Sequence, residues 1–465
     1  MNRQAQVPTA RTRPGTDPAG PGPTGALPAR PPAAAGQDGH DRGWVAPALV
    51  AAGWTLWAYL RDRPPASVAA GHLRTYARWS FAHLTHTDVV SLYRERSLFD
   101  HALPYVHVAI EYPVLTGLFM WGAAWAPGVQ GYVALSALGL GACAVGCVWL
   151  LYRSSPRRAW LFALCPLLLP YAIYNWDLLA IVLMLAGWDA YRTRRHATAG
   201  VLLALGVFAK FFPVVLLAFC AAELWRERAS SGSGPLERLA VGALVTSVVV
   251  NAPFALLNFG SWLHFFAFNA RRTDRQGILF QLRIVSGWPV GAVDALSAAI
   301  VLGAVGFLGW KVVQGTARVE FAAAAAFAVL MLVNKAYSPQ YMLWVFTFGL
   351  LADWPSWVLA VTAFAGLVDF VNAMMTLHLE GGPAWPWYWG NVFHLNLVTR
   401  NAAIATALGA SAWQERRQWA HWRPAGAGAG RDGASPGVPV GRPARAGASG
   451  AGVPVAGSTA GATER

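Results

Sequence analysis

YPVLTGLFMWGAAWAPGVQGYVALSALGLGACAVGCVWLLY, residues 112–152, contains no Asp, Glu, Lys or Arg. A helix crossing a bilayer takes about 20 residues, so this run has the length of two helices. Pro127-Gly128 marks the break between them. Comparable apolar runs follow at roughly 157–174, 176–190, 198–224, 236–257, 287–311, 317–334, 339–352, 355–378 and 391–413, and one precedes at 44–60. Of the 465 residues 55% are hydrophobic and only 12% charged. The charged share is about half that of soluble domains, too little to solvate a large surface. The reading is an all-α, polytopic integral membrane protein.

The net charge of +14 raises the question of nucleic acid. The positives do not form one patch, however. They lie in short clusters between apolar runs: Arg153, Arg157 and Arg158; Arg192, Arg194 and Arg195; Arg226 and Arg228; Arg416 and Arg417. Cytoplasmic loops retain Lys and Arg in this way, so the clusters report topology and no nucleic-acid partner is expected. Several of the 23 tryptophans, Trp44, Trp57, Trp288 and Trp354 among them, flank apolar runs as an interfacial belt would. Cys143, Cys147, Cys165 and Cys220 lie inside apolar runs without metal or redox spacing. No metal site and no cofactor are expected.

Residues 1–43 and 414–465 read as disordered cytoplasmic tails around a membrane domain at 44–413. The N-terminal stretch has no aromatic residue and is rich in Pro, Gly, Ala and Arg, too little apolar surface to offset the entropy of ordering. It is not expected to be a secretory signal, because its first apolar run starts only near Trp44. Between the tails two topologies fit. With every Arg cluster inside, 157–190 and 198–224 become short hairpins with Asn175-Trp176-Asp177 and Lys210 outside, and one helix of 112–152 is re-entrant or interfacial. Counting every run as a full crossing gives about twelve helices and strands two Arg clusters outside. The first is preferred; both put the first loop, 258–286 and 379–390 outside.

The first external loop is long and carries His86-Thr87-Asp88-Val89-Val90-Ser91-Leu92-Tyr93, then Pro104-Tyr105 and Glu111-Tyr112-Pro113. Later come Asn175-Trp176-Asp177, Lys210-Phe211-Phe212-Pro213 and Asn334-Lys335-Ala336-Tyr337-Ser338-Pro339-Gln340-Tyr341. In their order these motifs resemble glycosyltransferase family 87, the polyprenyl-phosphate-mannose-dependent mannosyltransferases of the GT-C superfamily, over roughly residues 44–413. The resemblance implies a cell-envelope enzyme of the plasma membrane. It would move a hexose, mannose by analogy, from a polyprenyl-phosphate sugar donor to an extracytoplasmic lipid or glycan acceptor. Such a reaction inverts the anomeric centre and needs no nucleotide sugar. The family's reaction centre holds an acidic residue of the first external loop. The matching residue here is Asp88, with Tyr93 in the same Asp-x-x-x-x-Tyr stretch.

The chemistry asks for these residue types independently. An acceptor hydroxyl must lose a proton as it attacks, so a positioned carboxylate serves as general base. The leaving phosphate gains charge that cations stabilise best in a water-poor site. Lys210, Lys335, Arg271 and Arg272 are the candidate cations, Glu111, Asp177 and Gln340 the further polar candidates, and Trp385, Trp387 and Trp389 a candidate sugar-stacking loop. Each has a plainer alternative. Asp88 would cap a helix, Glu111 mark a helix start, Asp177 pair with an arginine, Lys210 snorkel to the interface, and Arg271, Arg272 and Arg275 form a solvated loop. His264, His378 and His394 read as interfacial. The competing function is a polytopic transporter or lipid flippase, for which Asp189, Asp294 and Asp369 would be the intramembrane charges.

Overall fold

The computed structural model describes residues 42–70 and 73–421, and these are helical with short connections. The tails expected at the two ends lie almost wholly outside the described residues. The last helix continues to His421, past the boundary expected at residue 413.

The chain opens with α1 (Val45–Asp62), then the small helices α2 (Ala66–Ala70), α3 (Leu73–Ala82) and α4 (Asp88–Glu95) of the first loop. The apolar run at 112–152 divides at Pro127 into α5 (Val114–Ala123) and α6 (Gly128–Ser154). Gly128 sits at φ +65°, a left-handed conformation that favours glycine, so the break and the new helix start share one residue. Next come α7 (Pro156–Ala163), α8 (Leu168–Tyr171), α9 (Asp177–Arg192), α10 (His196–Ala209), α11 (Val214–Ser231) and α12 (Gly234–Leu257). Two amphipathic helices, α13 (Phe259–Arg271) and α14 (Ile278–Ser286), precede α15 (Val290–Val313). The bundle ends with α16 (Val319–Val333), α17 (Tyr341–Leu351), α18 (Ser356–Leu379), the short α19 (Trp385–Tyr388) and α20 (His394–His421).

Among the described residues five helices have the length and composition to cross a membrane: α1 with its leading turn, α6, α12, α15 and α18. The 27 residues of α6 extend about 40 Å, ample for a hydrocarbon core. The outer helices present apolar side chains outward: Leu244, Val245, Val248 and Val249 on α12, and Leu302, Phe307 and Trp310 on α15 are exposed. With so few polar residues on that surface, lipid is its solvent. The inner helices are buried all round. Ala322 to Ala328 of α16 and Met342 to Leu351 of α17 have no exposed residue. Helices α10 and α12 touch backbone to backbone: a Cβ on Gly200 or Gly242 would collide with the carbonyl of Leu239 or Ala197 opposite.

The two ends of the bundle collect different residues. The breaks at 172–176 and 210–213 meet the first loop at one end, where the Asp88 amide donates to Tyr174 O at 2.8 Å and Thr116 Oγ1 donates to Ala209 O at 2.7 Å. Helix α5 is only ten residues long, the short member of its pair. The Arg clusters gather at the other end. Arg153 and Arg195 lie 3.5 and 3.4 Å from Asp189, Arg194 3.1 Å from Glu227, and Arg158 2.6 Å from Asp353. Positive charge of this kind is what cytoplasmic loops retain, which is the side the sequence reading expects for these clusters.

Candidate active site

Thr87 decides how Asp88 is presented. Its side chain caps α4 by accepting from the Val89 amide at 3.1 Å, and its hydroxyl donates to Ile173 O at 2.6 Å. Tyr76 OH accepts from the Thr87 amide at 3.0 Å. The cap is therefore Thr87, and Asp88, the first helical residue, keeps its carboxylate free of the capping role expected as its plainer alternative.

That carboxylate faces a cavity of about 710 Å³. Tyr112 OH donates to Asp88 Oδ2 at 2.9 Å, and His86 Nε2 stands 3.8 Å from Oδ1. Burial pushes the Asp88 carboxyl up, but His86, the Tyr112 hydroxyl and the nearby Lys210 outweigh it and hold the group below the usual carboxylate value. The base candidate is thus ionised at neutral pH.

Lys210 follows the last residue of α10 in extended conformation, where Pro213 forces the chain to turn. Its Nζ is 3.0 Å from Asp177 Oδ1 and 3.3 Å from Asn175 Oδ1, and lies 4.6 and 5.5 Å from the ring centres of Tyr112 and Trp344. Lys210 does not snorkel: it is buried and lines the cavity. Asp177 is fully buried, and its partner is this lysine, not the arginine that its plainer reading supposed. Glu111 lines the cavity too, gripped by both arms of Arg96 at 2.7 and 2.8 Å; the N-cap of α5 is Pro113, so Glu111 marks no helix start.

The opposite wall comes from the segments after α13 and α16. Arg272 and Gln340 line the cavity, and a buried strut holds their segments. Arg400 of α20 donates to Gln276 O at 2.5 Å, lies 3.2 Å from Asp369 Oδ1 and stacks 3.7 Å over the Tyr337 ring. The Asp274 amide also donates to Lys335 O at 2.9 Å. The remaining wall is apolar: Phe211, Phe212, Val214, Val215, Phe265, Phe268, Phe327, Leu330 and Met331.

Of the sequence-stretch candidates, Asp88, Glu111, Lys210, Arg272 and Gln340 therefore converge, with Asp177 immediately behind Lys210. Besides Asp177, three do not line the cavity. Tyr93 packs against Tyr132 at 4.7 Å between ring centres, on the inner side of α4. Lys335 donates to Ala270 O and to Asp294 Oδ2 at 2.9 Å, which ties α13 to α15. Arg271 is exposed, as its solvated-loop reading supposed. The Trp385–Trp389 segment also lies away from the lining, where Tyr341 and Trp344 supply the aromatic faces instead. Sequence reasoning missed His86, Arg74, Tyr112, Tyr341 and Trp344. Three of them sit inside motifs already quoted, so motif membership was a signal, but nothing in the local pattern said which neighbour would face inward.

The carboxylates of the transport reading do not assemble. Asp189 pairs with Arg153 and Arg195, Asp294 with Lys335 and Asp369 with Arg400, each in a different part of the molecule. No curated protein matches the chain. The model of glycosyltransferase family 87 matches residues 110–334, a stretch holding Glu111, Asp177, Lys210 and Arg272 and ending before Gln340, with Asp88 ahead of it. That match covers just under half of the chain, and together with a helical bundle whose helices are long and apolar enough to cross a membrane it indicates a membrane glycosyltransferase similar to family 87.

Proposed function

We propose that this glycosyltransferase draws its hexose, mannose by family resemblance, from a polyprenyl-phosphate sugar and passes it to a lipid or glycan acceptor on the extracytoplasmic face of the plasma membrane. The observation that carries the reading is the cavity's composition. One wall offers an ionised carboxylate, another offers cations, and a third is a run of Phe, Val, Leu and Met side chains. A nucleotide sugar has no use for such an apolar wall, whereas a polyprenyl chain does.

In this mechanism the acceptor hydroxyl oxygen attacks the anomeric carbon and its proton passes to Asp88. The bond from that carbon to the phosphate oxygen breaks, and the electron pair leaves with the lipid phosphate. Arg272, free to face the cavity, and Lys210 stabilise the charge that develops there. Trp344 or Tyr341 gives the sugar ring a face to stack on. Glu111 holds Arg96 at the rim. Asp177 and Asn175 hold the Lys210 ammonium in place.

The test uses the purified chain in liposomes with radiolabelled polyprenyl-phosphate mannose, polyprenyl-phosphate glucose and guanosine-diphosphate mannose, each with a membrane-lipid extract as acceptor. Transfer from polyprenyl-phosphate mannose alone is expected. Transfer from the nucleotide sugar would overturn the donor assignment, and preference for glucose would overturn the sugar.

A further inference from the structure

His86 takes no part in the transfer as described above, yet it lines the cavity beside the base. Its Nδ1 is 3.2 Å from Ser80 Oγ, and that hydroxyl donates its hydrogen to Ala77 O at 3.1 Å. Only a lone pair of Ser80 is left for the ring, so Nδ1 carries the hydrogen. In the neutral ring Nε2 is then a bare acceptor, and it is this atom that faces Asp88 Oδ1 at 3.8 Å. Two acceptors face one another across a gap that wants a proton. The other carboxylate oxygen is already occupied by the Tyr112 hydroxyl, which leaves Oδ1 as the oxygen that receives a new hydrogen. The ring cannot swing away: Phe81 packs on it at 4.6 Å, Tyr76 at 5.7 Å and Tyr174 at 6.3 Å between ring centres. Aromatic faces of this kind also favour a ring that has become a cation.

We propose that His86 is the proton-accepting partner of Asp88, taking over the hydrogen that the carboxylate removes from the acceptor hydroxyl. The proposal rests on the reading of Asp88 as general base. As the acceptor oxygen bonds to the anomeric carbon, its proton moves to Asp88 Oδ1. It then crosses to His86 Nε2, which restores the carboxylate and creates an imidazolium. The phosphate departs with the electron pair of the broken bond. The imidazolium afterwards releases its proton to water in the cavity, so one hydrogen ion leaves per transfer and nothing is oxidised or reduced. A protonated Asp88 must shed its hydrogen before the next transfer, so an acceptor next to it speeds turnover without touching the sugar.

The experiment compares H86Q, H86A and D88N in the purified, full-length enzyme with polyprenyl-phosphate mannose. Glutamine still donates to Ser80 but offers no basic nitrogen. H86Q is expected to lose about 10–100-fold in kcat, at the low end of general acid–base effects, with donor KM unchanged. H86A is expected to regain activity several-fold with added imidazole, and with methylimidazoles in the order of their basicity. A merely structural histidine predicts no such order. H86Q retaining more than about a third of wild-type kcat while D88N is inactive would overturn the His86 role and leave the base reading standing. An active D88N would remove both. An H86A that melts like wild type but gains nothing from imidazole also overturns the proposal.

Discussion

The two ends of the bundle use the same residue types in opposite ways. At the arginine-rich end, arginines and carboxylates from different helices pair one against another, as in Arg158–Asp353 at 2.6 Å and Arg318–Glu415 at 2.9 Å. At the other end the charges surround about 710 Å³ of open space. There Asp88 has a tyrosine and a histidine beside it and no lysine or arginine paired with it among the described residues, and Arg272 faces the cavity. Charges that satisfy one another stabilise a fold. Charges that stop short of satisfying one another around a void are kept for something that enters it. The comparison is open to attack at four points, in decreasing order of expected effect.

The largest effect belongs to Asp88. D88N keeps the size and the Tyr112 contact but cannot accept a proton, so the rate should fall about 10²–10⁴-fold. The melting temperature should shift little. Because the folded pKa is lowered, the ionised carboxylate adds stability that is present above its unfolded value and lost as pH falls through the folded one. Wild-type activity should therefore not lose this base until pH drops below the ordinary carboxylate value of 3.8. D100N is the control, since Asp100 is exposed and outside the lining, whereas Glu95 lines the cavity and serves poorly. If D88N retains more than about a tenth of the rate, the base lies elsewhere and the contrast between the ends loses its main support.

Lys210 comes next, because it serves both ends of the argument at once. K210M leaves Asp177 fully buried without its cation, which typically costs about 3–5 kcal/mol. The double variant K210M/D177N should recover most of that stability but not donor turnover, read as melting temperature against kcat/KM. Recovery of turnover in the double variant would show that Lys210 is a strut and nothing more.

That pair also shows what the sequence can and cannot say. Lys210 and Lys335 give the same local signal, a lysine a few residues before a proline in an apolar run. One lines the cavity and the other ties Ala270 to Asp294, which lie 65 and 41 residues from it in sequence. Helix positions and breaks were legible because they depend on hydropathy and on Pro and Gly, which act locally. The loop carboxylate was legible because its motif is local too. Tyr93 was not, since the side of α4 it occupies follows from packing on Tyr132 of α6. His86 was passed over although it stands two residues before Asp88, because its importance depends on Ser80 and on three rings, two from α3 and one from the 172–176 turn.

At the arginine-rich end, Arg158 is the most buried of the paired arginines described there, with Asp353 and the Leu351 carbonyl as acceptors. R158M should cost about 1.5–3 kcal/mol, the range of hydrogen bonds to charged groups, because the Asp353 side chain is partly solvated and its charge stays hydrated. Activity per folded molecule should be unchanged. A rise in donor KM would mean that the two ends are coupled and that the division drawn between them is too sharp.

The smallest effect is expected where a pair is closest to water. Arg194 lies 3.1 Å from Glu227, but its side chain is 65% exposed and held by little else. In high dielectric such a pair gains little over two solvated ions, and a double-mutant cycle on R194Q and E227Q should give about 0.2–1 kcal/mol of coupling that fades with added salt. Arg96–Glu111, at the cavity rim, is the matched comparison: it is bidentate, its glutamate side chain is only 11% exposed, and the cavity borders it. The same cycle on R96Q and E111Q should give a larger coupling that resists salt, and there alone the single variants should also raise substrate KM. Equal coupling and salt dependence at the two pairs would show that position relative to the cavity is irrelevant to these charges, because geometry and solvent exposure, not charge type, are what the comparison rests on.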